Sequence, residues 1–282
     1  MDFSVNEFNV RLRTIRIWEL AIGLVIAFII TSVLAAAFPV ISEDDNLFFI
    51  VLLSCVLVFF IIALMKTSGI KDNISNVFDV KIRNEILYIF ALNLLFAFLF
   101  PCIISGFDYL YGALDPNWIT GIDIDTVELT ADSLILECIA SIIFAPLIEE
   151  LVFRGVLFNR LKIRTGMIPA MLITSFIFAL GHDFGGITSA FLFGICMCIL
   201  YMKTDNILVT ISVHFTNNLV ATILALSQID IITAQMPWLI PTTIIAIIAT
   251  VFLLKYILNE INELKKSFNI MCKNSPASLS RR

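Results

Sequence analysis

With 282 residues, 60% hydrophobic and 15% charged, and a mean hydropathy of +0.99, the chain is far more apolar than a soluble domain, where about a quarter of residues are charged. It is read as an all-α, polytopic membrane protein. A formal net charge of -5 argues against nucleic acid as a partner, because phosphate binding needs a basic face. Six scattered cysteines (Cys55, Cys102, Cys138, Cys196, Cys198 and Cys272) form no Cys-x-x-Cys pair and read as small core residues, not as a disulfide framework or zinc site.

In chain order, apolar runs near the length of about 20 residues needed to cross a bilayer fall at Ile17 to Ile41, Leu47 to Met65, Ile86 to Ile104, Leu134 to Phe158, Met167 to His182, Ile187 to Met202, Ile207 to Leu226 and Pro237 to Ile257. That makes about eight transmembrane helices. The fifth and sixth are short and meet at Asp183-Phe184-Gly185-Gly186, so a broken or re-entrant hairpin is the alternative there. All 18 basic residues precede the first span, fall in alternate connections, or end or follow the fourth and eighth spans. The long segment from Ser105 to Asp132 carries only acids, at Asp108, Asp115, Asp123, Asp125 and Glu128. By the positive-inside rule both termini are cytoplasmic.

The basic start followed by Ala35-Ala36-Ala37 has the outline of a signal peptide, but its apolar run exceeds the usual length and it is read as uncleaved. Phe3 to Trp18 is amphipathic and basic and is expected along the inner membrane surface. Without repeats or a separable soluble segment, 1–282 is taken as one membrane domain. Its polar motifs lie within about 133–228, and a cytoplasmic tail covers about 259–282.

The fourth span holds the charges that need explaining: Glu149-Glu150-Leu-Val-Phe-Arg154-Gly155. Ionised groups inside a span cost a few kcal/mol and normally face a protein interior or wet cavity. Glu150 and Arg154 are four apart with the acid first, the favourable order for a helical ion pair. Glu149 points about 100° away and has no base on its own helix to pair with, which makes it a candidate general base. The plain alternative is that all three charges belong to one structural network. Both histidines of the chain, His182 and His214, also fall in spans or at their edges. Asn218 lies one turn beyond His214 on the same face, and adjacent N–H donors in a dry site can hold an oxyanion. Counted from the cytoplasmic ends at about 1.5 Å per residue, Glu149, His214 and Asn218 lie roughly 14, 10 and 17 Å deep. His182 comes out at roughly 23 Å by the same rise, and it joins them only if its helix tilts, starts late or breaks. Ala145-Pro146 ahead of Glu149 either frees the Ile142 carbonyl and bends the span or is a tolerated membrane proline with no role.

Glu149-Glu150-x-x-x-Arg154, Phe178-x-x-x-His182 and His214-x-x-x-Asn218, in that order, resemble the three signatures of the CAAX-protease and bacteriocin-processing (CPBP, or Abi) family of intramembrane glutamic endopeptidases, related to the Ras-converting prenyl endopeptidase. The likeness covers Ala145 to about Val220. It implies a fold of about eight helices in the plasma membrane, no cofactor, and a catalytic site open to the cytoplasm. It further implies a membrane-associated peptide or protein as substrate. Carried onto this chain, Glu149 and His182 activate water, His214 and Asn218 form the oxyanion hole, and Glu150 and Arg154 support the first motif. Asn217 beside Asn218 leaves open which amide points inward.

No His-Glu-x-x-His, Gly-x-Ser-x-Gly or Gly-x-Gly-Asp pattern offers another proteolytic chemistry. One metal alternative is a zinc site made of Glu149, His182 and His214, which would leave Asn218 without a role. Another is a non-catalytic membrane protein, such as a bacteriocin immunity factor or transporter subunit, in which the polar residues join helices.

Overall fold

The computed structural model describes residues 1–77, 80–115 and 131–273. Asp123, Asp125 and Glu128 of the acidic connection, and Arg281 and Arg282 of the tail, lie outside the described residues. Ten principal helices are α1 (Phe8–Thr14), α2 (Ile17–Ala37), α3 (Asp45–Leu64), α4 (Val80–Ala97), α5 (Leu99–Leu114), α6 (131–165), α7 (Met167–Ala179), α8 (Ile187–Thr204), α9 (Ile207–Leu226) and α10 (Leu239–Lys273). No strand occurs among the described residues.

Among the described residues, six helical runs are long and apolar enough to cross a membrane: Ile17–Ala37, Asp45–Leu64, Arg83–Leu114, Phe184–Thr204, Ile207–Leu226 and Leu239–Lys266. The expected spans that fall outside this set are the fourth and fifth. α6 carries the motif charges and changes its winding, and α7 is only 13 residues long, or about 20 Å at the α-helical rise. Leu180 to Asp183 and a short 3-10 turn at Phe184–Gly186 then lead into α8, so the fifth and sixth segments form a hairpin with unequal arms. α8 is the most enclosed of the long helices, with an unbroken buried run from Phe193 to Tyr201. It packs on α7, α4 and α9, while α2 packs on α3 and α4 on α10. Large apolar side chains on the outer faces of α2, α3 and α10, among them Val25, Phe28, Ile61 and Val251, are exposed as lipid-facing residues are.

The basic connections gather at one end of the bundle. Lys203 at the end of α8 bonds Glu85 of α4 at 2.6 Å and Glu260 of α10 at 2.9 Å, and Arg13 pairs with Asp205. α1 does not simply lie along a membrane surface. Leu12 and Ile15 are fully buried, and the Arg11 guanidinium donates to the carbonyls of Val5, Met65 and Phe3 at 2.7, 2.7 and 2.8 Å. Gly155 permits this docking, since a Cβ there would come within 2.6 Å of Leu12. The segment is therefore a plug at the basic end, bound against the helix that carries the charged motif.

Within α6 two π-helical stretches, Ile139–Phe144 and Leu151–Phe158, flank the α-helical piece Ala145–Glu150. The strain expected at Pro146 is met by this change of winding: the N–H of Ala145 reaches back five residues to Ala140, just before the proline. At the far side Asn159 donates to the carbonyls of Arg154 and Gly155 at 2.9 and 3.0 Å and lies 3.1 Å from the Tyr201 hydroxyl. These bonds tie the carbonyls of the second wide stretch to a side chain that also reaches α8.

Candidate active site

The expected ion pair is present. Arg154 Nη1 donates to Glu150 Oε1 at 2.8 Å, with side chains 1% and 0% exposed. Two charges out of water need more than each other. Arg154 Nη2 also reaches the Gly194 carbonyl at 3.2 Å, and the guanidinium lies 4.6 Å from the centre of the Phe178 ring. Gly194 allows that geometry because its bare Cα lets α8 approach Ser175 of α7, where a Cβ would stand 2.9 Å from the serine Cβ.

The same Glu150 oxygen lies 2.9 Å from His214 Nδ1. A carboxylate paired with arginine can only accept, so Nδ1 is the donor and Nε2 is the ring nitrogen left for chemistry. Nε2 faces Glu149, with Oε2 at 3.7 Å. His214 is thus held between two consecutive carboxylates that leave α6 in different directions. Among the described residues, no base on its own helix forms an ion pair with Glu149; its partner, His214, arrives from α9. Its side chain is 26% exposed, whereas those of Glu150 and His214 are 0% and 3% exposed.

His182 sits in the turn after α7. Its Nδ1 is 3.0 Å from the Phe178 carbonyl, which can only accept, so Nε2 is again the nitrogen left over. α7 ends at Ala179, and a further turn of backbone bonds carries the chain to His182, whose ring meets that of Phe178, which also meets His214. Phe178 is the wedge between these rings. Its ring centre is 4.7 Å from that of His182 and 5.7 Å from that of His214, with Arg154 on it as well. Phe193 closes on His214 from α8 at 5.0 Å.

Asn218 donates one amide N–H to the Ser141 carbonyl of α6 at 2.8 Å, which fixes the orientation of the amide and leaves a second N–H. His182, His214, Asn217 and Asn218 all line one cavity of about 230 Å³. Both asparagines reach it, so the choice between them that spacing leaves open is one of orientation, and the Ser141 bond fixes Asn218.

Asn93 of α4 lines the same cavity and was missed in the sequence, because a lone asparagine in an apolar span has no motif around it. It is 5% exposed; its amide nitrogen donates to the Ile89 carbonyl at 2.9 Å, and its Oδ1 has no partner. For the zinc alternative, no group of three histidine, cysteine or acidic side chains suited to hold a metal ion occurs among the described residues.

Residues 131–220 match the family model described as type II CAAX prenyl endopeptidase, Rce1-like. The matched stretch runs from the start of α6 into α9 and contains all three motifs. No curated protein and no solved structure matches the chain. The match supports the resemblance read from the motifs and, with the long apolar helices, a protease of CAAX type in a multi-pass membrane protein.

Proposed function

We propose, taking the kinship of residues 131–220 with CAAX prenyl endopeptidases as the premise, that this protein is an intramembrane glutamic endopeptidase whose reactive centre lies between Glu149 and the two histidines. The observation that carries the reading is His214, gripped by Glu150 at 2.9 Å with its second nitrogen turned to Glu149 at 3.7 Å, on the wall of a cavity shared with His182 and Asn218.

Glu149, the more exposed of the two acids, is not among the residues lining the cavity but meets it at His214 Nε2; there it takes a proton from a water, and His182 Nε2 accepts a hydrogen bond from that water and orients it. The hydroxide attacks the scissile carbonyl. Negative charge then grows on the carbonyl oxygen, and the donors left for it are the second N–H of Asn218 and Nε2–H of His214. Because Nδ1–H is committed to Glu150, His214 can donate from Nε2 only as imidazolium, and Glu150 supplies its counter-charge while Glu149 holds the proton taken from water. Glu149 then returns the proton to the leaving amine. No covalent intermediate forms. Glu150 and Arg154 touch no reacting atom; they hold the ring of His214 and the turn of α6.

The substrate is a membrane-associated peptide or protein, of CAAX type or a bacteriocin-like peptide, and the site opens toward the cytoplasmic face of the plasma membrane. The test is comparative peptidomics of membranes from cells producing the wild-type chain or Glu149→Gln. Peptides whose new termini occur only with the wild-type chain identify the substrate. Identical peptide sets from the two, with both proteins inserted at equal amounts, would remove the proteolytic reading.

A further inference from the structure

Where α2 begins and α6 ends, Arg16, Ile17, Trp18, Arg160, Ile163 and Arg164 line a cavity of about 590 Å³ at the basic end of the bundle. Three guanidinium groups share it, and Arg160 feels the charges of both Arg16 and Arg164. Like charges gathered around a void call for a counter-charge, and the nearby acid, Glu19, supplies it only in part, attracting Arg160 and Arg16 from beyond ion-pair distance. Glu19 holds the N-terminal ammonium with both oxygens at 2.6 Å and accepts from the backbone N–H of Arg16 at 2.8 Å. Among the described residues no carboxylate forms an ion pair with Arg16, Arg160 or Arg164.

Arg160 is anchored, since its Nε donates to the Ile15 carbonyl at 2.8 Å. That spends one of its five donors and leaves four. The rest of the wall is apolar, and much of it is open: Trp18 is 55% exposed and Ile163 is 74% exposed. A tryptophan at the first turn of a membrane span sits at headgroup depth. Guanidinium forks match phosphate oxygens two at a time, which a lysine cannot do.

We infer that this cavity binds the headgroup of an anionic glycerophospholipid, its phosphate among the three arginines and the start of an acyl chain along Ile17, Trp18 and Ile163. Phosphate is chemistry shared with the free inorganic ion; the apolar wall favours the lipid. A bound headgroup bridges α2 to the end of α6, the helix that carries Glu149. The inference uses no residue of the reactive centre, so its failure leaves the peptidase reading untouched.

The test uses the full chain in neutral detergent, with phosphatidylglycerol and phosphatidylcholine competing for it in native mass spectrometry and inorganic phosphate as a separate arm. One phosphatidylglycerol is retained in preference to phosphatidylcholine by about ten-fold, and Arg16→Gln with Arg164→Gln removes about ten-fold of that affinity. The charge-matched control Lys66→Gln with Lys71→Gln changes it by less than about two-fold. Arg16 and Arg164 are exposed, so the pair is not needed for folding. Should the double variant lose its thermal transition, Arg164→Glu alone carries the test with the same expected loss. Equal loss in the lysine control, equal retention of the two lipids, or displacement of the lipid by inorganic phosphate at the lipid's own affinity would each overturn the assignment.

Discussion

Glu150 and Arg154 are the residues whose exchange separates stability from chemistry. Removing one partner of a buried ion pair leaves a charge without compensation, so Arg154→Met is expected to cost about 3–5 kcal/mol and to lower the thermal midpoint in detergent. Glu150→Leu combined with Arg154→Met replaces both charges by apolar groups and should recover much of that stability. Activity should not return with it, because His214 Nδ1 then lacks the acceptor that fixes its tautomer. Recovery of both together would make the pair a helix clamp only. Asn93 gives the opposite pattern. Its Oδ1 is a buried acceptor without a partner, so Asn93→Leu is expected to leave the midpoint unchanged or raised. If that oxygen receives an N–H of the substrate, its loss raises KM by about ten-fold, the worth of one hydrogen bond of about 1–1.5 kcal/mol. A lowered midpoint with unchanged KM would give Asn93 a packing role alone.

Among the helices, α6, α7 and α8 decide where the site lies. Gly194 brings α8 against Ser175 and offers its carbonyl to Arg154. Gly194→Val should therefore force the two helices apart at a cost of about 1–3 kcal/mol and lose activity even where the protein remains folded. Wild-type activity in that variant would show that the α7–α8 spacing does not set the site. The pairing of Glu150 with Arg154 was legible because it depends only on helical spacing. What lies between helices was not. That His214 Nδ1 would choose Glu150, and that its Nε2 would face Glu149, depends on how α9 packs on α6. The position of His182 depended on the turn beyond α7, and a mostly apolar 13-residue helix followed by Leu-Gly-His-Asp does not declare a stop as clearly as a proline would. The π-helical stretches around Pro146 were likewise hidden: a proline signals a broken bond, not which neighbouring turn widens to absorb it.

Composition fixed the class of the whole molecule before any motif did, since a chain this apolar satisfies its backbone in lipid only through helices or a closed barrel. Counting spans by hydropathy was less secure, because the two segments that build the site, α6 and α7, are the charged one and the short one. α1 shows the reverse effect: it has the amphipathic pattern of a surface helix, but Leu12 and Arg11 are used inside the fold. The peptidase reading rests on one acid 3.7 Å from a histidine that lines a cavity, and the measurement that tests it most directly is cleavage of an identified membrane peptide by purified, reconstituted protein with Glu149→Gln. The account predicts a fall in rate of about 10²–10⁴-fold, with thermal midpoint unchanged and the wild-type rate insensitive to chelators. Cleavage by Glu149→Gln at the wild-type rate would contradict it.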